Sequence, residues 1–167
     1  GLLTISDDLV VGDGKTIGSA SATDAITISS AGKVTITNAA NTAQLELKST
    51  DADGSSGPLL DLIRDSGSPA DGDVTGIIRF KADNDAGQET TTSQIVSLLN
   101  DASDGTEDGE LKLETMIGGS QQSRLDFIPG ETVFNEGSID VDFRVESNGR
   151  ENAFFVDGGN DAVVIGE

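Results

Sequence analysis

The 167-residue chain contains no Cys, no His, no Trp and no Tyr. Each absence closes a class of chemistry. Without Cys there is no disulfide framework and no thiolate metal site. Without His, the Ser-His-Asp and Cys-His nucleophilic arrangements, His-ligated zinc and imidazole acid–base work all fall away. Without Trp and Tyr there is no aromatic platform of the kind that grips sugars. Basic residues are scarce too: 10 Lys and Arg stand against 30 Asp and Glu, for a net charge of −20. That surface repels phosphate backbones and anionic lipid, so neither nucleic acid nor a membrane surface is expected as a partner. No apolar run approaches the 18 residues of a membrane span, and no signal peptide is visible. The chain begins with Gly1 rather than Met, which reads as processing or as a piece of something longer.

What is present is aliphatic and punctuated. Leu, Ile, Val and Phe together number 43, enough to fold, but they come in short bursts separated by 21 Gly and by Asp, Ser, Thr and Asn. Twenty of the acids are Asp and ten are Glu, the ratio expected of charges in turns rather than on helices. Small units of this composition bury little alone, and with no disulfides available association is the expected remedy.

The chain reads as all-β in three regions. Residues 1–40 form repeat-like hairpins: LLTIS and LVVGDG flank Asp7-Asp8, while DAITISS and KVTITN flank Ala31-Gly32, with Ile26/Ile28 and Val34/Ile36 alternating against Thr27 and Thr35. Residues 41–130 read as a central antiparallel β unit. Leu45 and Leu47 alternate in AQLELKS, LLDLIRD and VTGIIRFKAD follow, and Leu111 and Leu113 share a face in ELKLETMI. SQIVSLLNDA fits either a strand over 92–100 or a short helix, because Ile95, Leu98, Leu99 and Ala102 also keep helical spacing. Pro129-Gly130 ends SRLDFI. Residues 131–167 return to repeat-like hairpins, FRVE–SNGR–AFFV and then FFV–DGGND–VVI. Loose recurrence of one unit suggests stacking along an axis.

Candidate chemistry is thin, and no catalytic residue or enzyme activity is read. GDGKTIG (12–18) lacks the earlier Gly of a phosphate loop and reads as a β-turn. Paired carboxylates abound by composition and read as solvated turn charges. Calcium is the one ion weighed. Asp83, Asp85 and Glu89 open like a calcium loop, but the full ligand spacing is missing there and in Asp51–Gly54 and 101–108, with Asx turns as the alternative.

FNEGSIDVDFRVESNGRENAFFVDGGNDAVVIG (134–166) resembles a segment recurrent in fibre and appendage proteins of tailed bacteriophages, marine ones especially. The likeness rests on Phe134 to Gly137, Asp140, Asp142 to Ser147, Gly149, Phe155 to Asp161, Val163, Ile165 and Gly166. Residues 71–119 also resemble a module of such fibres. The resemblance implies an elongated homotrimeric β fibre, a virion structural protein acting outside the cell as shaft or spacer for host attachment. Its implied partners are its own copies, other virion appendage proteins and a host surface receptor. Phe143, Val145, Phe155 and Val164 are the candidate residues for the oligomer axis. Two other classes stay open: a bacterial surface adhesin or filament subunit assembling by β-strand addition, with GLLTIS as donor strand, and a fragment of a polysaccharide depolymerase.

Overall fold

The computed structural model describes residue 12, residues 15–19 and residues 21–166, without the side chains of 22–24. LLTIS and most of LVVGDG lie outside the described residues. Every regular element among those described is a β-strand, and every pairing is antiparallel. The all-β reading is what the structure has. The chain divides into two units between Leu60 and Asp61.

In the first unit β1 (Thr16–Ser19), β2 (Ala22–Ile28) and β3 (Val34–Ile36) pair in chain order. Ile17, Ile26 and Ile36 stand side by side, and Thr16, Thr27 and Thr35 occupy the other face. The turn at Ala31-Gly32 closes because Gly32 takes a φ of +76° and its amide donates to Ser29 O at 2.9 Å.

Residues 37–72 contain no strand. The alternation around Leu45 and Leu47 and the LLDLIRD burst therefore form no ladder, and the sheet of the central unit starts at Asp73 rather than near 41. Between the two bursts the backbone amides go to side chains. Ser49 Oγ accepts from Asp51 N at 3.2 Å, Asp51 Oδ1 from Asp53 N at 3.3 Å, and Asp53 Oδ1 from Ser55 N at 2.7 Å. Such side-chain acceptors offer the chain an alternative to sheet pairing.

The second unit holds a five-stranded meander: β4 (Asp73–Asp83), β5 (Glu89–Asp101), β6 (Asp108–Ile117), β7 (Ser120–Ile128) and β8 (Glu131–Phe134). SQIVSLLNDA is strand. Its alternation runs on from the Thr-rich start of β5, and both neighbouring strands bond to it. The hairpins use the turn chemistry their residues demand. Gly118 and Gly119 both take positive φ (57° and 85°) between Ile117 and Ser120, and Pro129-Gly130, with Gly130 at +91°, joins Ile128 to Glu131. A second sheet, ordered β11-β10-β9, is made by β9 (Phe143–Ser147), β10 (Arg150–Asp157) and β11 (Ala162–Ile165).

Asn135 links the two sheets. It sits at a φ of 64°, donates from Nδ2 to Ile139 O at 2.8 Å and accepts the Ile139 amide at 3.3 Å. Phe134 then meets Phe143 with ring centroids 4.4 Å apart, and Phe143 meets Phe154 at 6.1 Å. These two contacts continue an aromatic row from one sheet into the next.

Candidate functional site

The register sorts the side chains of the five-stranded sheet into two unlike faces. On one, Ile78, Ile95, Leu113, Leu125 and Phe134 form a single apolar row across all five strands. The rows beside it read Gly76–Ser97–Leu111–Phe127–Thr132 and Phe80–Ser93–Thr115–Gln122. None of these three rows contains a charged residue.

The opposite face carries the row Ile77–Val96–Lys112–Asp126–Val133, flanked by Arg79–Gln94–Glu114–Ser123 and Val74–Leu98–Glu110. Here the polar groups bind one another. Lys112 Nζ lies 2.8 Å from Glu110 Oε1 and 4.0 Å from Asp126 Oδ2, and Gln94 donates to Glu114. The bond to Glu110, helped by the charges of Glu110, Asp126 and Glu114, holds the Lys112 ammonium above its usual pKa against a smaller opposing cost of burial. Asp126 is fully buried, and Ser123 Oγ donates to its Oδ1. Residues three apart normally sit on opposite faces of a strand. These two share one because Arg124 is an extra residue in β7, between the Leu113–Leu125 and Glu114–Ser123 pairs.

The apolar face is open. Phe80 is 54% exposed, Phe134 50% and Phe127 43%, while Val96 is the one buried apolar side chain among the described residues. Part of the face meets the chain's own Leu62, which lies over Gly76 (a Cβ on Gly76 would stand 3.3 Å from Leu62 Cβ) and closes one side of a cavity of about 200 Å³ lined also by Ile78, Ile95 and Leu111. Arg64 anchors that segment through Val74 O and Asp73, each at 3.0 Å.

Of the four axis candidates, Phe143 and Val145 share a face with Phe154, Val156, Val163 and Ile165. Phe155 and Val164 lie on the other face, in line with Arg144, which pairs with Glu146 at 2.6 Å. The four therefore cannot front one common surface. Adjacent residues in a strand point opposite ways, and the FFV and VVI bursts do not reveal which of each pair faces outward. Phe127, Phe134 and Phe154 belong with Phe143 and Val145, and sequence reading missed them. The alternation of Leu125 with Phe127 in β7 is the signal that could have found Phe127, and that of Thr132 with Phe134 in β8 the signal for Phe134.

The acidic turns are held from within. Asn84 accepts the Ala86 and Gln88 amides through Oδ1, at 3.0 and 2.9 Å, closing the hairpin between Asp83 and Glu89. Glu89 pairs with Lys81 at 2.6 Å, and Asp85 belongs to the turn. Asp101 Oδ1 accepts Ser103 N at 2.8 Å, and bonds from Ser103 lower its pKa. Among the described residues no three acidic side chains gather so as to hold a metal ion.

The Asp157–Asp161 turn is the most tightly built. Asp157 accepts from Asn160 Nδ2 and from the amides of Gly159 and Asn160 at 2.9 to 3.0 Å. These bonds, the Asn160 side chain first, hold its carboxyl below the usual range. A depressed carboxylate stabilises the fold above its ordinary pKa of about 3.9, and that contribution is lost as pH falls through the lowered value. The Gly159 and Asn160 amide resonances should titrate together with a midpoint below about 3.9; a midpoint above it would overturn the assignment.

No protein-family model, curated protein or solved structure matches this chain.

Proposed function

We propose that the chain is a segment of a trimeric fibre, a virion structural protein of a tailed phage that serves as shaft or spacer for host attachment outside the cell. One observation carries the need for copies. Among the described residues Val96 is the one buried apolar side chain, while Phe80, Phe127 and Phe134 of the five-stranded sheet stand 43 to 54% exposed. Sheets that leave one apolar face uncovered gain most from meeting another such face. The class of assembly comes from the resemblance of residues 71–119 and 134–166 to phage fibre segments. Turns whose carboxylates bind their own backbone suit a scaffold, and the absence of Trp and Tyr fits a spacer better than a sugar-gripping tip.

Light scattering on the intact chain tests the copy number. A closed three-copy mass is expected, more fully formed at high salt because the copies, each at −20, repel less when screened. Open-ended polymers would favour the strand-addition filament instead, and a single-copy mass at all concentrations would overturn both. Antibody against the chain should decorate tail or capsid fibres in micrographs of phage particles from its source, and decoration of cell-surface filaments would overturn the virion assignment.

A further inference from the structure

We infer that the surface joining the copies is the apolar face of the five-stranded sheet, continued through Phe134 and Phe143 onto the Val145–Phe154–Ile165 row of the terminal sheet. The inference rests on the multi-copy reading above and adds which side of the sheet a second copy covers. It excludes the side that carries Phe155 and Val164.

Charge supplies the first reason. The chain holds 40 charged residues in 167, yet three successive rows of the sheet contain none. Two copies at −20 repel through most of their surfaces, and these three rows offer contact with no carboxylate to desolvate. At one edge Asp73 is already matched by Arg64 of the same chain, and Arg124 and Asp142 lie together beside Phe134 and Phe143.

The second reason is where the aromatic residues sit. Of the six Phe, only Phe155 lies off this surface. Phenylalanine contributes the largest apolar area available to a chain without Trp or Tyr, and an exposed ring gains only when something covers it.

Area is the third. Phe80, Phe127, Phe134 and Ile165 are 43 to 75% exposed, and Val163 is 62% exposed. Ile78, Leu111, Val145 and Phe154 add 37 to 46% each. With about 200 Å² for a whole Phe and somewhat less for the aliphatics, the surface offers on the order of 800 Å², which matches the ~800 Å² each partner commits to a standard stable interface. An anionic lipid surface would meet the same net charge of −20 that the copies must overcome, without offering a matching apolar face.

The chain has no native Cys, so single-cysteine variants report cover directly. Phe127→Cys on the apolar face and Arg79→Cys on the charged face are both exposed in one copy. Maleimide labelling rates of the native assembly, each divided by the rate in denaturant, should be at least tenfold slower for Phe127→Cys. Thr132→Cys, beside Phe127 in the same row, repeats the test where loss of the ring prevents assembly. Equal rates in a protein that still has a multi-copy mass would overturn this surface and leave the fibre reading standing. A single-copy wild type would overturn both.

Discussion

Gly158→Ala is expected to detach the last three strands from the segment that precedes them, lowering stability by about 3 kcal/mol, near the upper end for overpacking. A Cβ at Gly158 would stand 2.6 Å from Val141 O and 2.9 Å from Val141 N. Both are backbone atoms, so no rotamer change relieves the clash. The same residue donates its amide to Asp142 Oδ1 at 3.1 Å, and any shift that makes room for the methyl would stretch that bond. Gly158 does not need a positive φ. The requirement is close approach, which separates it from Gly149 at +99° in the neighbouring hairpin. Urea unfolding followed by NMR would check this: amides of β9 to β11 should lose protection first, while β4 to β8 keep theirs. An unchanged midpoint for the terminal sheet would show that the loop can move away at no cost.

Lys112→Met should produce the second large effect, about 3 kcal/mol at neutral pH, because it leaves the buried Asp126 and the nearly buried Glu110 without the cation that faces them. Direction with pH gives the sharper check. Lys112 has a raised pKa in the fold, so its contribution is full below the ordinary lysine value of about 10.4 and is lost as pH rises through the raised one. The difference between wild type and Lys112→Met should therefore be full at neutral pH and narrow as pH rises through the raised lysine value, read as the shift in urea midpoint. A difference that stays constant across that rise would mean that Lys112 acts through its aliphatic stem alone.

Much of the fold was legible because its turns are written in residue types with one structural use. Gly118-Gly119, Pro129-Gly130 and Asn148-Gly149 fall between paired strands where turn chemistry places them. Thr27 against Thr35, with Ile26 and Ile28 on the other face, also followed from alternation. Residues 41–72 were not legible, since Leu45 and Leu47 alternate as a strand does yet no strand lies between β3 and β4. Which residues share a face was only half legible. Phe143 and Val145 lie on one face and Phe155 and Val164 on the other, since a two-residue burst carries no parity. The Lys112–Asp126–Ser123 group escaped altogether, because one extra residue at Arg124 breaks the alternation that would have joined its members.

The two sheets of the second unit contain five and three strands, each in simple meander order. An odd number of antiparallel strands sends the chain in at one end of a sheet and out at the other. Tension drawn through the backbone of either sheet therefore runs along the strands, at right angles to their interstrand hydrogen bonds. Loaded this way, the bonds of a ladder share the force together, whereas an even-stranded hairpin would open them one after another like a zip. Strand parity alone converts a weakly buried sheet into a part that resists being pulled.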